Sequence, residues 1–336
     1  MDWDFSTTLI GSLPSRDAVS AVDVVVTAGL DCPAWPQLPK LGYGESMYVQ
    51  TGSKFPGIVV GEDSLTVDLS DYDPTSAYEA IIMEDREHFS LDPKHAAGFA
   101  EFMGRDFPGA RAVKGQVTGI ISEGLVIQDG GGRAAIYDAA YCEIMRKGIN
   151  LAAKWQADAL SSKSDTVIIF FDEPSLSLLG SPFASISTEQ AVAWMNETME
   201  GLDCVKAVHC CGNTDWPMVM STDIDVLSFD ALEYGRSITL FAEDVSDFVD
   251  RGGALAWGIV PSTDEAMEGV TVASLCDKLE GLFDALESKG MDREKVARKS
   301  MITPQCGLGG MDESSLAGAL GLLRDTSLEM KGRYGL

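Results

Sequence analysis

Eight short β-rich apolar runs, most of them followed by a helix-length stretch, recur along this 336-residue chain, and that alternation constrains its fold more than any other feature. The runs are STTLIGS (6–12), PGIVV (56–60), RAVKGQVTG (111–119), TVIIFFD (166–172), KAVHCC (206–211), DVLSFDAL (225–232), ALAWGIV (254–260) and SMITPQC (300–306). Strands that alternate with helices predict parallel β/α units, and eight units predict a closed (β/α)8 TIM barrel. The expected architecture is one catalytic α/β domain over residues 1–336, with long loops over the mouth at the carboxyl ends of the strands. An open doubly wound sheet is the alternative, but neither DGGGR (129–133) nor CGLGGM (306–311) fits a dinucleotide fingerprint. The Pro- and Gly-rich segment from Asp31 to Phe55 reads as an extended insertion over the mouth, and EGLVIQDGGGR as a second mobile loop there.

Charge narrows the function. With 52 acidic against 25 basic residues, the formal net charge is −27, which argues against nucleic-acid partners because these bind through cationic patches. The acidic opening MDWDFS lacks the basic-then-apolar pattern of an export signal, and no apolar run approaches the roughly 18 residues of a membrane span. A cytoplasmic protein is expected. Seven cysteines in such a chain favour metal binding or catalysis over disulfides.

The chain has only three histidines, and one of them shares four positions with two cysteines in HCC (209–211). Alternation along a strand points His209 and Cys211 one way and Cys210 the other. Glu233 and Cys306 follow later runs, and neighbouring strand ends of a barrel converge on one mouth. His209, Cys211, Glu233 and Cys306 are therefore candidate ligands for Zn²⁺, which favours tetrahedral N, S and O donors. The alternative is a buried histidine among ordinary core cysteines. In FFDEPSL (170–176), Asp172 and Glu173 would be costly to bury without a cation or donors, so they are candidates to hold a substrate ammonium or guide a proton, or else to cap the next turn. At the first strand end, the amides of Gly11 and Ser12 are placed to receive a carboxylate. His88 and His95 read as surface residues.

TTLIGSLP, VKGQVTG, FFDEPSL, the H-x-C of HCC, EYGRS and PQCGL, in this order, resemble the catalytic domain of cobalamin-independent methionine synthase over most of the chain. The resemblance implies zinc on His209, Cys211, Glu233 and Cys306. It also implies homocysteine held by Asp172 through its amino group, by Ser12 through its carboxylate, and with help from Glu62. Glu233, as the one hard ligand, would be the one that exchanges with substrate. Because 336 residues leave no room for that family's second, amino-terminal barrel, the chain is similar to its short core form. That form implies a methylated corrinoid (methylcobalamin or a corrinoid protein) as methyl donor. WGIVPS (257–262) lacks the histidine with which the family donates a proton. HCCGNTDWPMVM also resembles methylcobamide:coenzyme M methyltransferases and uroporphyrinogen decarboxylases. The decarboxylases lack this zinc set. The coenzyme M enzymes, and a non-catalytic corrinoid- or zinc-binding protein, stand as alternatives to methyl transfer onto homocysteine.

Overall fold

The computed structural model describes residues 1–336. Its strands are β1 (Ser6–Thr7), β2 (Ile58–Val60), β3 (Leu65–Val67), β4 (Val113–Thr118), β5 (Val167–Asp172), β6 (Val205–Cys210), β7 (Val226–Phe229), β8 (Ala254–Val260) and β9 (Ser300–Pro304). Seven of them form one curled parallel sheet in the order β1-β9-β8-β7-β6-β5-β4. Helices connect these strands, as parallel pairing requires. No helix is long and apolar enough to cross a membrane.

Two sequence expectations change here. The PGIVV run is not a sheet strand: β2 pairs antiparallel with β3 in a separate hairpin, tied to the loop after residue 127 by the Thr66–Gln128 bridge. Residues 32–37, read as part of an insertion, instead lie between the two edges of the sheet. Cys32 donates its N–H to Thr7 and Gln37 donates to Gly11 on one side, while Trp35 donates to Lys114 and Lys114 to Pro33 on the other. Pro33 and Pro36 have no N–H, so the segment forms isolated parallel bridges and no continuous ladder. That is why its composition reads as loop.

The alternation of strand side chains sorts the core. Val167, Ile169 and Phe171 of β5 point outward into a large apolar cluster shared with the helices. Ile168 and Phe170 point inward with Ala207, Val226, Ala256 and Met301, forming a smaller cluster enclosed by the sheet. The helices carry ordinary start signals. Ser187 caps Thr188–Met199 and forms a capping box with Gln190. Asp138 caps the 22-residue helix Ala139–Leu160, whose Gln156 accepts the indole N–H of buried Trp35 at 3.0 Å.

One glycine lets a helix press onto the edge-bridging segment: a Cβ on Gly98 would lie 1.9 Å from the Pro36 carbonyl oxygen. Gly98→Ala should destabilise the fold by about 2–3 kcal/mol through overpacking. Gly321→Ala, where nothing lies within 4 Å of the added carbon, should be neutral or stabilise by about 0.5–1 kcal/mol. Denaturant unfolding of the two variants measures the contrast.

Candidate functional site

The register of the sheet builds one row of side chains near the carboxyl ends of four strands. Thr118 pairs with Asp172, Asp172 with His209, and His209 with Ser228. All four are buried. Cys211 lies just beyond β6, and Cys306 follows β9 from the far side of the sheet. Ligand atoms of His209, Cys211 and Cys306 all lie within 4.8 Å of one another. Ser228 Oγ sits 3.0 Å from His209 Nδ1. The buried Nε2 has no partner, so one ring nitrogen is fixed by a hydrogen bond and the other is free to ligate. The neighbouring Cys306 and His209 hold the Cys211 thiol down to about 4, and the neighbouring Cys211 together with burial pushes Cys306 up.

The other expected residues divide. Asp172 is brought to the cluster, and its buried Oδ1 has no protein partner. Burial raises its carboxyl to about 6 against the pull of Lys114 and His209. Glu173 does not face the cluster. Its two oxygens accept the N–H groups of Ile121 (3.0 Å) and Ser122 (2.8 Å), at the start of the helix Ile120–Val126, and burial pushes its carboxyl up to about 7. Ser12 lies against the turn after Cys306: Leu308 donates to its carbonyl at 2.9 Å and Gly309 to its hydroxyl at 3.2 Å. The N–H groups of Gly11 and Ser12 donate to no protein acceptor.

Glu233 and Glu62 are not brought to this group. β7 ends at Phe229, three residues before the expected end at Leu232, because Asp230 caps a helix that begins at Ala231. Glu233 therefore sits exposed in that helix's first turn, its N–H donated to Asp230 at 2.9 Å. D-A-L-E is a helix-start spacing, and it was the signal available in the sequence. The buried carboxylate at this strand end is Asp230, which also accepts from Gln305 at 3.0 Å and is pushed up by burial. Glu62 is exposed in the turn between β2 and β3. His95 is buried, not on the surface; a Cβ on Gly44 would meet its ring nitrogen at 3.3 Å.

Sequence reading missed Lys114 and its neighbours. In VKGQVT the polar residues alternate, so Lys114, Gln116 and Thr118 face inward from β4. Lys114 is fully buried, with its ammonium 4.2 Å from the centre of the Phe170 ring. It donates to the Ile10 carbonyl at 2.6 Å and to Gln116 Oε1 at 2.9 Å. Burial pulls it down to about 7, against the attraction of Asp172.

The fold and site together define an α/β protein whose curled parallel sheet gathers a histidine, two cysteines and a free carboxylate at its strand ends. No family model matches the chain, and no curated protein matches it in sequence. Solved structures do. A B12-independent methionine synthase from Shewanella sp. W3-18-1, in complex with selenomethionine, aligns over 99% of both chains at TM-score 0.59 and 15% identity. A methyltransferase from Methanosarcina mazei aligns over 98% of this chain and 94% of its own at TM-score 0.58 and 12% identity. A putative vitamin-B12 independent methionine synthase from Listeria monocytogenes aligns over 93% and 85% at TM-score 0.53 and 13% identity. At these identities the likeness is one of fold.

Glu173 gives a prediction about pH. Its proton leaves the unfolded chain near 4.5 and the folded chain at about 7. The folded state therefore binds the proton more tightly, and stability from this group is full below 4.5 and lost as pH rises through about 7. The stability of the wild type relative to Glu173→Gln should fall across that window in paired denaturant titrations. A constant difference would contradict it.

Proposed function

We propose that this chain is a zinc-dependent thiol methyltransferase on a closed (β/α)8 barrel, moving a methyl group from a methylated corrinoid to homocysteine to give methionine. The observation that carries the reading is the convergence of His209, Cys211 and Cys306 from two distant parts of the chain. One imidazole with an unpartnered buried nitrogen and two thiols fit zinc, whose catalytic sites commonly have three protein ligands and one open position. When bound there, the cation supplies stabilisation of a substrate thiolate at neutral pH, where a free thiol of pKa about 8.5 is mostly protonated.

The chain's own residues do the rest. Ser228, 3.0 Å from Nδ1, orients the His209 ring. Asp172, with no protein partner on its buried oxygen, is the residue proposed to take the substrate ammonium. The unpaired amides of Gly11 and Ser12 are proposed to take the substrate carboxylate. Held at both ends, the thiolate attacks the methyl carbon in line: the S–C bond forms as the bond to the donor breaks, its electron pair leaving with the donor. A corrinoid leaves without needing a proton, whereas a folate nitrogen needs one. His209, the histidine of this cluster, is committed to the ligand set. The exchangeable fourth ligand expected at Glu233 is not part of the proposal, because that carboxylate lies outside the group.

The test is methionine formation by the zinc-loaded protein from methylcobalamin and homocysteine, with zinc content measured alongside. One zinc per chain is expected, with methionine lost in Cys306→Ala and zinc weakened in His209→Ala. Asp172→Asn should raise the KM for homocysteine about 10–100-fold, the scale of a lost charge-assisted hydrogen bond, and leave thiols without an amino group unaffected. Turnover of coenzyme M in place of homocysteine, indifferent to Asp172→Asn, would replace the acceptor. Zinc binding with no methyl transfer to either thiol would leave a binding protein.

A further inference from the structure

Lys114 is a buried cation that the proposed chemistry leaves without a task. Every lysine placed in such a site carries a desolvation cost, which its contacts must offset. Its contacts are specific: the Ile10 carbonyl at 2.6 Å, Gln116 Oε1 at 2.9 Å, and the face of Phe170. The first of these has a geometric consequence. The chain contains no cis peptide, and in a trans peptide the C=O and the N–H point in opposite directions from one plane. With the Ile10 carbonyl drawn inward onto Lys114, the N–H of Gly11 is turned away from the lysine. That N–H has no protein acceptor, and it belongs to the turn that packs on the residues after Cys306. The same bond polarises the peptide and strengthens its other end as a donor. Gly11 itself is boxed in, since a Cβ there would meet Gln37 Oε1 at 2.7 Å.

We infer that Lys114 is a positioning residue for an anionic substrate group: by holding the Ile10 carbonyl it aims the Gly11 N–H at the substrate's carboxylate. The inference deepens the proposed thiol methyltransfer and rests on it for the identity of the substrate. The experiment uses the full-length, zinc-loaded protein and compares wild type with Lys114→Met, which keeps the length of the side chain but not its donors. Calorimetry with homocysteine and with 3-aminopropane-1-thiol, which lacks only the carboxylate, reads the effect directly. Affinity for homocysteine should fall at least 10-fold while affinity for the aminothiol stays within twofold, and KM should rise with kcat held within about twofold. Lys114→Arg, which keeps charge and donors, should recover part of the loss. Ile10–Gly11 is the one Ile–Gly pair in the chain, so ¹³C-carbonyl isoleucine with ¹⁵N-glycine labels that peptide alone. Its amide proton should move downfield as butyrate is added to wild type, and respond weakly in Lys114→Met. Lys114→Gln serves if the methionine variant does not fold. Equal loss for both thiols, no loss for either, or an unchanged Gly11 response to butyrate would overturn the inference. A wild type that binds neither thiol would defeat the methyltransferase reading instead, and the butyrate titration would then decide the role of the lysine by itself.

Discussion

The row Thr118–Asp172–His209–Ser228 is the constraint on which the rest of the structure depends. Each member is fixed to the next by the register of parallel strands. A slip of one residue in any of them would turn its side chain to the outer face, among the helices. Below this row the inner face is apolar on β5 to β8, with Phe170, Ala207 and Ala256, and polar on β4, where Gln116 and Lys114 are buried. Above it lie the ends of the strands, where the chain leaves the ladder and backbone amides go unpaired. The row therefore lies in a layer between a largely apolar floor and an open rim, and strand order and register together decide which residues share it.

That layer is crowded with groups that are expensive to bury, and most are satisfied within the protein. Glu173 takes two helix amides. Asp230 takes the amide of Glu233 and the side chain of Gln305. Gln305 also accepts from the Ser262 amide, so it clamps the ends of β7 and β8 beside Cys306. Two buried atoms of the cluster, Oδ1 of Asp172 and Nε2 of His209, have no such partner. A fold that satisfies Glu173, adjacent in sequence to Asp172, while leaving Asp172 bare has separated a structural carboxylate from one available to a ligand. The two look alike in D-E-P, and the packing of the helix Ile120–Val126, distant in sequence, tells them apart.

Much of this layer was legible in the sequence because strands leave a period-2 signature. H-x-C and the polar alternation of VKGQVT both announce inward-facing polar residues, although only the first was read that way. Glu233 was assigned by counting from an apolar run, and that run continued through Ala231 and Leu232 into a helix whose inner face is also apolar. Hydrophobicity cannot mark the boundary there, but the capping aspartate can. The segment 32–37 was hidden for the opposite reason: its prolines remove β-propensity, although its neighbours on both sides still supply the hydrogen bonds that hold it extended. Glu62, which the resemblance implies, lies at the turn of a short antiparallel hairpin that places it in solvent.

The three-residue cluster also bears on charge. On the proposed reading, a neutral imidazole and two thiolates would carry two negative charges that one Zn²⁺ would cancel, so an incoming thiolate would leave the site with a single negative charge. A glutamate in the set would double that charge beside Asp172, already reluctant to ionise in its buried position. The local field would then oppose the anion that the reaction needs. With the glutamate outside, the charges near the substrate are Asp172, the thiolates and the buried cation Lys114 beneath them. On the proposed reading, the sulfur keeps one uncompensated charge with which to attack, and the ammonium and carboxylate of the substrate are held by groups of opposite polarity on β5 and on the turn after β1. On the same reading the lysine would serve both arms from one position, since it attracts Asp172 across the interior and anchors the Ile10 peptide before Gly11.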